Sequence, residues 1–284
     1  MAEEARADPG SSWSRCRSSV AAALALTAFS GAACGSPETS ASSTSPTTAS
    51  YYLYFLRGNY LGVSHRSGPS TRAVGTAAVS ALVSGPNHLE MSAGLSTAIP
   101  AGTKLLGLDS SSGTATVNLS DAFSTPGSPG SELGRVAQVV FTLTQFPDVH
   151  RVVFEISGTT PKTFASGAVS LAEPKGRMDV LGAVPAILLE RPAVGDSLHG
   201  SVHLSGMADV LEARFNAQLI DGNGKILLDK PVRATAGSGT FGTFDATFSF
   251  SSSVTTLGTL RVYDLSMKDG SPIDEVDLRV RAGP

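Results

Sequence analysis

The chain is poor in the residues on which reactive chemistry usually rests. Its 284 residues include two cysteines, Cys16 and Cys34, and a single tryptophan, Trp13. From Gly35 onward there is no thiol, which excludes a disulfide framework, a thiolate metal site and a cysteine nucleophile from that part. Charged residues make up only 16% of the chain, the formal net charge is −3, and no basic run occurs. The electrostatic footprint of a nucleic-acid binder is therefore missing, as is a polybasic patch for anionic lipid. The apolar run near the N-terminus, Val20–Phe29, falls far short of the ~20 residues that a permanent spanning helix needs.

What is present is a foldable chain, 41% hydrophobic, whose polarity comes largely from Ser, Thr and Gly. Its length allows one large or two medium domains. Arg15 and Arg17 followed by the apolar core Val20–Phe29 and the small residues Ser30 to Ala33 predict a signal peptide over residues 1–33. Ala32-Ala33-Cys34 is similar to the last three places of the lipobox of bacterial lipoproteins, with Gly31 where a leucine is usual. The resemblance implies that Cys34 becomes the lipidated first residue, with acyl chains of the palmitate kind holding the protein at the cell membrane on its extracytoplasmic face. Ordinary cleavage after Ala32 or Ala33 is the alternative and would give a secreted protein. Residues 34–50, rich in Ser, Thr and Pro, bury too little apolar surface to offset chain entropy and read as a disordered tether. The sixteen residues after Cys34 span roughly 20–25 Å as a coil.

From Tyr51 the texture changes. "YYLYFL" (Tyr51–Leu56) reads as a buried strand, with a sticky aromatic stripe for glycan or partner as the rival reading. Helical spacing of Val74, Ala78, Ala81 and Leu82 predicts a helix, with Ser70 and Thr71 as capping candidates and Gly85-Pro86 as its stop. Two strands joined by a Ser/Gly turn follow at Thr103–Ser120. A second helix places Leu133, Val136, Val140, Leu143 and Phe146 on one face, and a strand lies at Val149–Ser157. The expectation is a compact α+β domain over residues 51–182, the stretch between Thr159 and Ala183 being a short tail of that module followed by a linker, with the boundary near Gly182. Residues 183–284 read as all-β, with about seven short strands and turn signals at Asp221–Gly224 and Asp269-Gly270. Phe244, Phe248 and Phe250 alternate onto one face. An immunoglobulin-like sandwich without the antibody cysteine pair is the expectation.

The first domain resembles the GerM-type sporulation and germination domain. The resemblance rests on Gly85-Pro86, Ile99-Pro100-Ala101-Gly102-Thr103 and Thr142-Leu143-Thr144-Gln145-Phe146-Pro147. The second is similar to the immunoglobulin-like domain of bacterial spore germination proteins, through the stretches Leu204–Leu227, Gly239–Phe250 and Gly258–Val276, with Leu211 where an aromatic residue is commoner. That layout implies an envelope lipoprotein with a binding or scaffolding role. Its partner would be an envelope protein or a second copy of the chain, since GerM-type domains resemble ring-building modules. A cell-wall glycan is the alternative ligand. No cofactor or metal is implied.

A search for chemistry returns weak motifs. "GSGTFG" (Gly237–Gly242) fits a dinucleotide fingerprint in letters, but a strand pattern follows instead of the helix that would receive a phosphate, so it reads as a flexible β-loop. His199 and His203, read as one strand, would lie about 13 Å apart, too far for one ion. Asp221, Asn223 and Lys225 begin like a calcium loop, but lysine stands where an acceptor is needed. Asp148 and Glu155 have no evident partner for acid–base work. The expectation is a non-enzymatic protein. The rivals are a peptidoglycan- or solute-binding protein and an envelope hydrolase with a scattered site.

Overall fold

The aromatic run enters a ten-residue strand because its side chains have two layers to bury into. In the computed structural model, which describes residues 48–69, 73–164 and 166–284, Leu53, Tyr54 and Phe55 are fully enclosed. This strand, β1 (Thr48–Arg57), pairs along its whole length with the antiparallel β2 (Tyr60–Pro69). The signal peptide, Cys34, most of the tether and the capping candidates Ser70 and Thr71 lie outside the described residues. Thr48 to Ser50, expected to belong to the tether, already pair with β2.

Next come α1 (Val74–Val83), the short α2 (His88–Ser92) and β3 (Leu95–Ser96), which touches β1 only at Leu56 and Arg57. The hairpin β4 (Leu105–Ser111) and β5 (Thr114–Leu119) forms as expected. Helix α3 (Pro129–Leu143) starts at Pro129 with the Ser128 side chain accepting from the Ser131 N–H, and β6 (Arg151–Ile156) then runs parallel to β5. The first module thus holds two three-stranded sheets, ordered β2-β1-β3 and β4-β5-β6.

The segment expected to link the modules is packed instead. Phe164, Leu171, Val180 and Ala183 are buried, and Val152 and Lys175 exchange both backbone hydrogen bonds at 2.8 Å. Apolar residues spaced too irregularly to signal an element still cover the core, because tertiary burial needs no periodicity. Likewise β2 escaped the sequence reading, since Gly62, Ser64, Ser67 and Gly68 dilute its alternation; pairing with β1 makes it a strand.

The second module is a sandwich with one more strand than expected. Its strands are β7 (Ile187–Arg191), β8 (Ser197–His199), β9 (Ser201–Ala208), β10 (Arg214–Ile220), β11 (Ile226–Arg233), β12 (Gly242–Ser249), β13 (Thr256–Leu265) and β14 (Pro272–Gly283). One sheet is ordered β11-β10-β13-β14-β8 and the other β12-β9-β7. Phe215 of β10 meets Phe244 of β12 edge to face at 4.9 Å, closing the two sheets over a shared core. Pro231 sits in β11, an edge strand, where its missing N–H costs least.

Candidate functional site at the junction of the modules

The modules meet through backbone as well as side chains. The His65 N–H of β2 donates to the Val194 carbonyl at 2.9 Å, and the Val194 N–H donates to Val63 at 3.2 Å. His65 Nδ1 contacts Asp196, whose other oxygen accepts from the Ala193 N–H at 2.9 Å. Deeper in, the Tyr54 hydroxyl donates to Glu190 of β7, and Arg177 Nη1 donates to the same carboxylate oxygen at 2.7 Å. The Arg177 guanidinium stands 4.6 Å from the Phe141 ring centre. Burial and the neighbouring Glu190 push the Tyr54 phenol well above its ordinary range. Burial opposes the charge on Arg177, yet Tyr54 and Glu190 together raise its pKa, so it stays a cation. The group is a hydrogen-bonded, half-buried network that fastens β1 to β7.

Beside this fastening lies a cleft of about 540 Å³, a size typical of ligand pockets. Its floor is apolar: Leu61, Val63, Ile187, Leu189 and Leu278. Arg57, Tyr60, Asp274 and Glu275 stand among its lining residues, with Tyr60 49% exposed. Arg57 Nη1 donates to the Asp277 carbonyl at 3.2 Å and so spans the two modules. Burial lowers the pKa of Arg57. An apolar floor with a few polar groups at the rim suits a partly apolar ligand and offers no reacting pair.

The residues singled out from sequence do not converge. His199 ends β8 and His203 lies in β9, a strand of the other sheet. Gly200, at φ +61°, turns the chain between them, so the one-strand reading of the pair is corrected. His203 Nε2 is 3.1 Å from Asp245. Asp221 Oδ1 accepts from the N–H groups of Asn223 and Lys225, a side-chain-closed turn. Asp148 is exposed, and Glu155 lies half-buried on β6. "GSGTFG" does precede a strand, but flexibility is not its reason for glycine. A Cβ on Gly237 would stand 2.3 Å from the Val210 carbonyl oxygen, and one on Gly242 2.2 Å from the Ala236 nitrogen. Tyr51, Tyr54 and Phe55 pack in the core, while Tyr52 stays half-exposed under the guanidinium of Arg191. Leu211, where the resemblance suggested a change in packing, is 41% exposed. Among the described residues, no group of three or more His, Cys, Asp or Glu could hold a metal ion, and no helix is long and apolar enough to cross a membrane.

Sequence reasoning missed the polar side chains inside the first module. Gln145 accepts from the Tyr52 N–H and donates to the Tyr52 carbonyl, both at 2.7 Å, and the Tyr54 N–H donates to the Thr142 hydroxyl at 3.3 Å. Side chains at the end of α3 thereby complete the edge of β1 that β3 leaves open. The signal was present in the spacing: Gln138, Thr142 and Gln145 stand at i, i+4 and i+7 on an otherwise apolar helix. The nearest thing to a catalytic pair is His65 with Asp196. Its Nε2 is buried without a hydrogen-bond partner among the described residues, so no nucleophile is placed for it to deprotonate.

Residues 52–162 match the family described as "Sporulation and spore germination", and residues 186–271 match the "Immunoglobulin-like domain of bacterial spore germination". No curated protein matches the chain. Among solved structures, the chain is similar to the first GerMN domain of the sporulation protein GerM from Bacillus subtilis. The identity is 24% and the TM-score 0.40, covering 46% of this chain and 98% of that one. For the tandem GerMN domains of the same protein the values are 20% and 0.41, covering 65% of this chain and 60% of that one. A Clostridium perfringens protein provisionally described as a lipoprotein gives 20% and 0.36, covering 49% and 93%. The structural likenesses are too low to carry functional weight, whereas the family matches identify both modules.

Proposed function

Because the chain carries a sporulation- and germination-type module followed by an immunoglobulin-like module of the spore-germination type, we propose that it is a non-enzymatic cell-envelope lipoprotein acting by binding or scaffolding. Cys34 carries the lipid, residues 34–47 serve as tether, and the fastened pair of modules presents the junction cleft to an envelope protein. The observation that carries this reading is the cleft itself, which has an apolar floor and a polar rim. A cell-wall glycan is a weaker occupant, since Tyr60 is the sole aromatic among the described residues that line the cleft.

Two measurements test it. Cells fed an alkyne fatty acid incorporate label into the native chain and lose it with Cys34→Ala, which accumulates as the uncleaved form. An unlabelled, normally processed protein in the medium would overturn the anchor. A photo-crosslinking residue at position 60 is expected to capture a discrete envelope protein in intact cells, while one at exposed Leu89 captures none. Identical patterns at the two positions would remove the cleft from the account.

A further inference from the structure

We propose that the tip of the β13–β14 ribbon, with Leu211 beside it, is a docking arm for a partner segment whose apolar side chains are flanked by lysine or arginine. The arm adjoins the junction cleft, whose lining it shares through Asp274 and Glu275.

The ribbon outruns its sheet. Pairing of β10 with β13 stops at Tyr263, and β8 meets β14 only at Arg281–Gly283. From Asp264 to Ile273 the ribbon therefore has no neighbouring strand on either flank among the described residues. The Leu265 N–H already donates to Asp264 Oδ1 at 2.7 Å and its cross-strand partner Pro272 has no N–H, so the tip offers a partner its side chains rather than ladder donors. Its loop is shaped from within: the Ser266 N–H donates to the Ser271 carbonyl and the Gly270 N–H donates to the Ser266 carbonyl, each at 2.8 Å. Asp269 accepts from both the N–H and the hydroxyl of Ser271.

On this arm the chain exposes large apolar groups that a sandwich would normally bury. Met267 is 82% exposed, Leu265 43% and Ile273 40%. Asp264 and Ile273 are cross-strand partners, and the Leu211 N–H donates to the Asp264 carboxylate at 3.3 Å, which brings the Leu211 backbone beside the ribbon. The corner that presents Leu211 is strained. Glu212 and Ala213 are consecutive non-glycine residues at φ +54° and +56°, and Asp274 follows Ile273 at φ +52°. Such conformations persist where a particular presentation is held in place by its surroundings.

Charge selects the occupant. From Asp264 to Glu275 the arm carries four carboxylates against Lys268. Glu275 pairs with Arg261 at 3.2 Å, and in the adjoining corner Glu212 and Arg214 offset each other. No ion pair among the described residues involves Asp264, Asp269 or Asp274. Apolar side chains flanked by unpaired carboxylates call for an apolar partner with basic flanks. An anionic lipid surface would be repelled, and a second copy docking tip to tip would bring like charges together.

The test is fluorescence anisotropy of the full chain with a labelled ten-residue peptide of alternating lysine and leucine. Saturable binding is expected, weakening as salt rises and falling at least about tenfold in Met267→Ser/Ile273→Ser. A comparable loss is expected for Asp264→Asn/Asp269→Asn, which leaves the lining of the cleft intact, together with most of the salt dependence. A glutamate–leucine peptide is expected not to bind. Should the serine variant misfold, the asparagine variant carries the test alone. Equal binding to all variants, or equal binding of a lysine–serine peptide, would overturn the proposal. So would preferential capture by phosphatidylglycerol vesicles, or a dimer in sedimentation that Met267→Ser dissolves.

Discussion

The two modules solve the problem of buried polarity in opposite ways. Every fully buried polar or charged side chain among the described residues belongs to the first module: Ser64, Glu90, Thr103, Glu132, Arg135, Gln138 and Thr142. The sandwich encloses only apolar ones. Its long ladders pair backbone groups with one another, so side chains are left to pack. The first module is built from two small sheets and irregular connections, and it leaves backbone groups that only side chains can reach. Arg135 donates to the carbonyls of Ala98, Phe123 and Thr125, and Glu132 accepts from the N–H groups of Gly127 and Ser166. Polar residues inside a core thus mark where the backbone cannot satisfy itself.

The comparison can be broken by core substitutions of each kind. In the sandwich, Phe215→Ala is expected to cost about 3–5 kcal/mol in urea unfolding through the cavity it leaves, whereas the volume-conserving Leu260→Met costs less than about 1.5 kcal/mol. In the first module, volume conservation gives no protection. Arg135→Met is expected to cost roughly 3 kcal/mol, because it strands three carbonyl acceptors of a buried cation. Equal costs for the two methionine variants would erase the contrast.

Acid sharpens it. Burial opposes ionisation of Glu90, but hydrogen bonds from Arg66 and Ser64 and the Asn87 N–H hold its pKa below the ordinary 4.5. A depressed carboxylate contributes stability that is fully present above the unfolded-state value and is lost as pH falls through the folded one. Glu90→Gln is therefore expected to destabilise by about 1–3 kcal/mol at neutral pH. The gap from the native chain closes below pH 4.5. Stability-against-pH curves that stay parallel into acid would show that the charge of Glu90 is immaterial.

Legibility follows the same division. The seven sandwich strands expected from alternation and turns all form, because an inward–outward period is a local property of each strand. β8 was missed because three residues separated from β9 by Gly200 carry no period of their own. In the first module both main helices and the β4–β5 hairpin were legible, while the glycine- and serine-rich β2 and the packed segment from Thr159 to Ala183 were not. At the candidate site almost nothing was legible. Tyr54, Arg177 and Glu190 look like ordinary residues of three separate stretches, and the bond between Tyr54 and Glu190 spans 136 positions.

By itself the sequence determined the order and class of the two modules, their principal strands and helices, and the absence of thiol chemistry beyond Cys34. These follow from composition and short-range periodicity. Tertiary structure alone decided that the expected linker packs onto the core, that the modules are fastened by a half-buried Tyr–Glu–Arg network, and that a cleft opens beside it. It also decided that Leu211 and Met267 face outward. Each of these depends on which groups meet across long stretches of chain, and a hydrogen bond between distant residues leaves no period in the sequence.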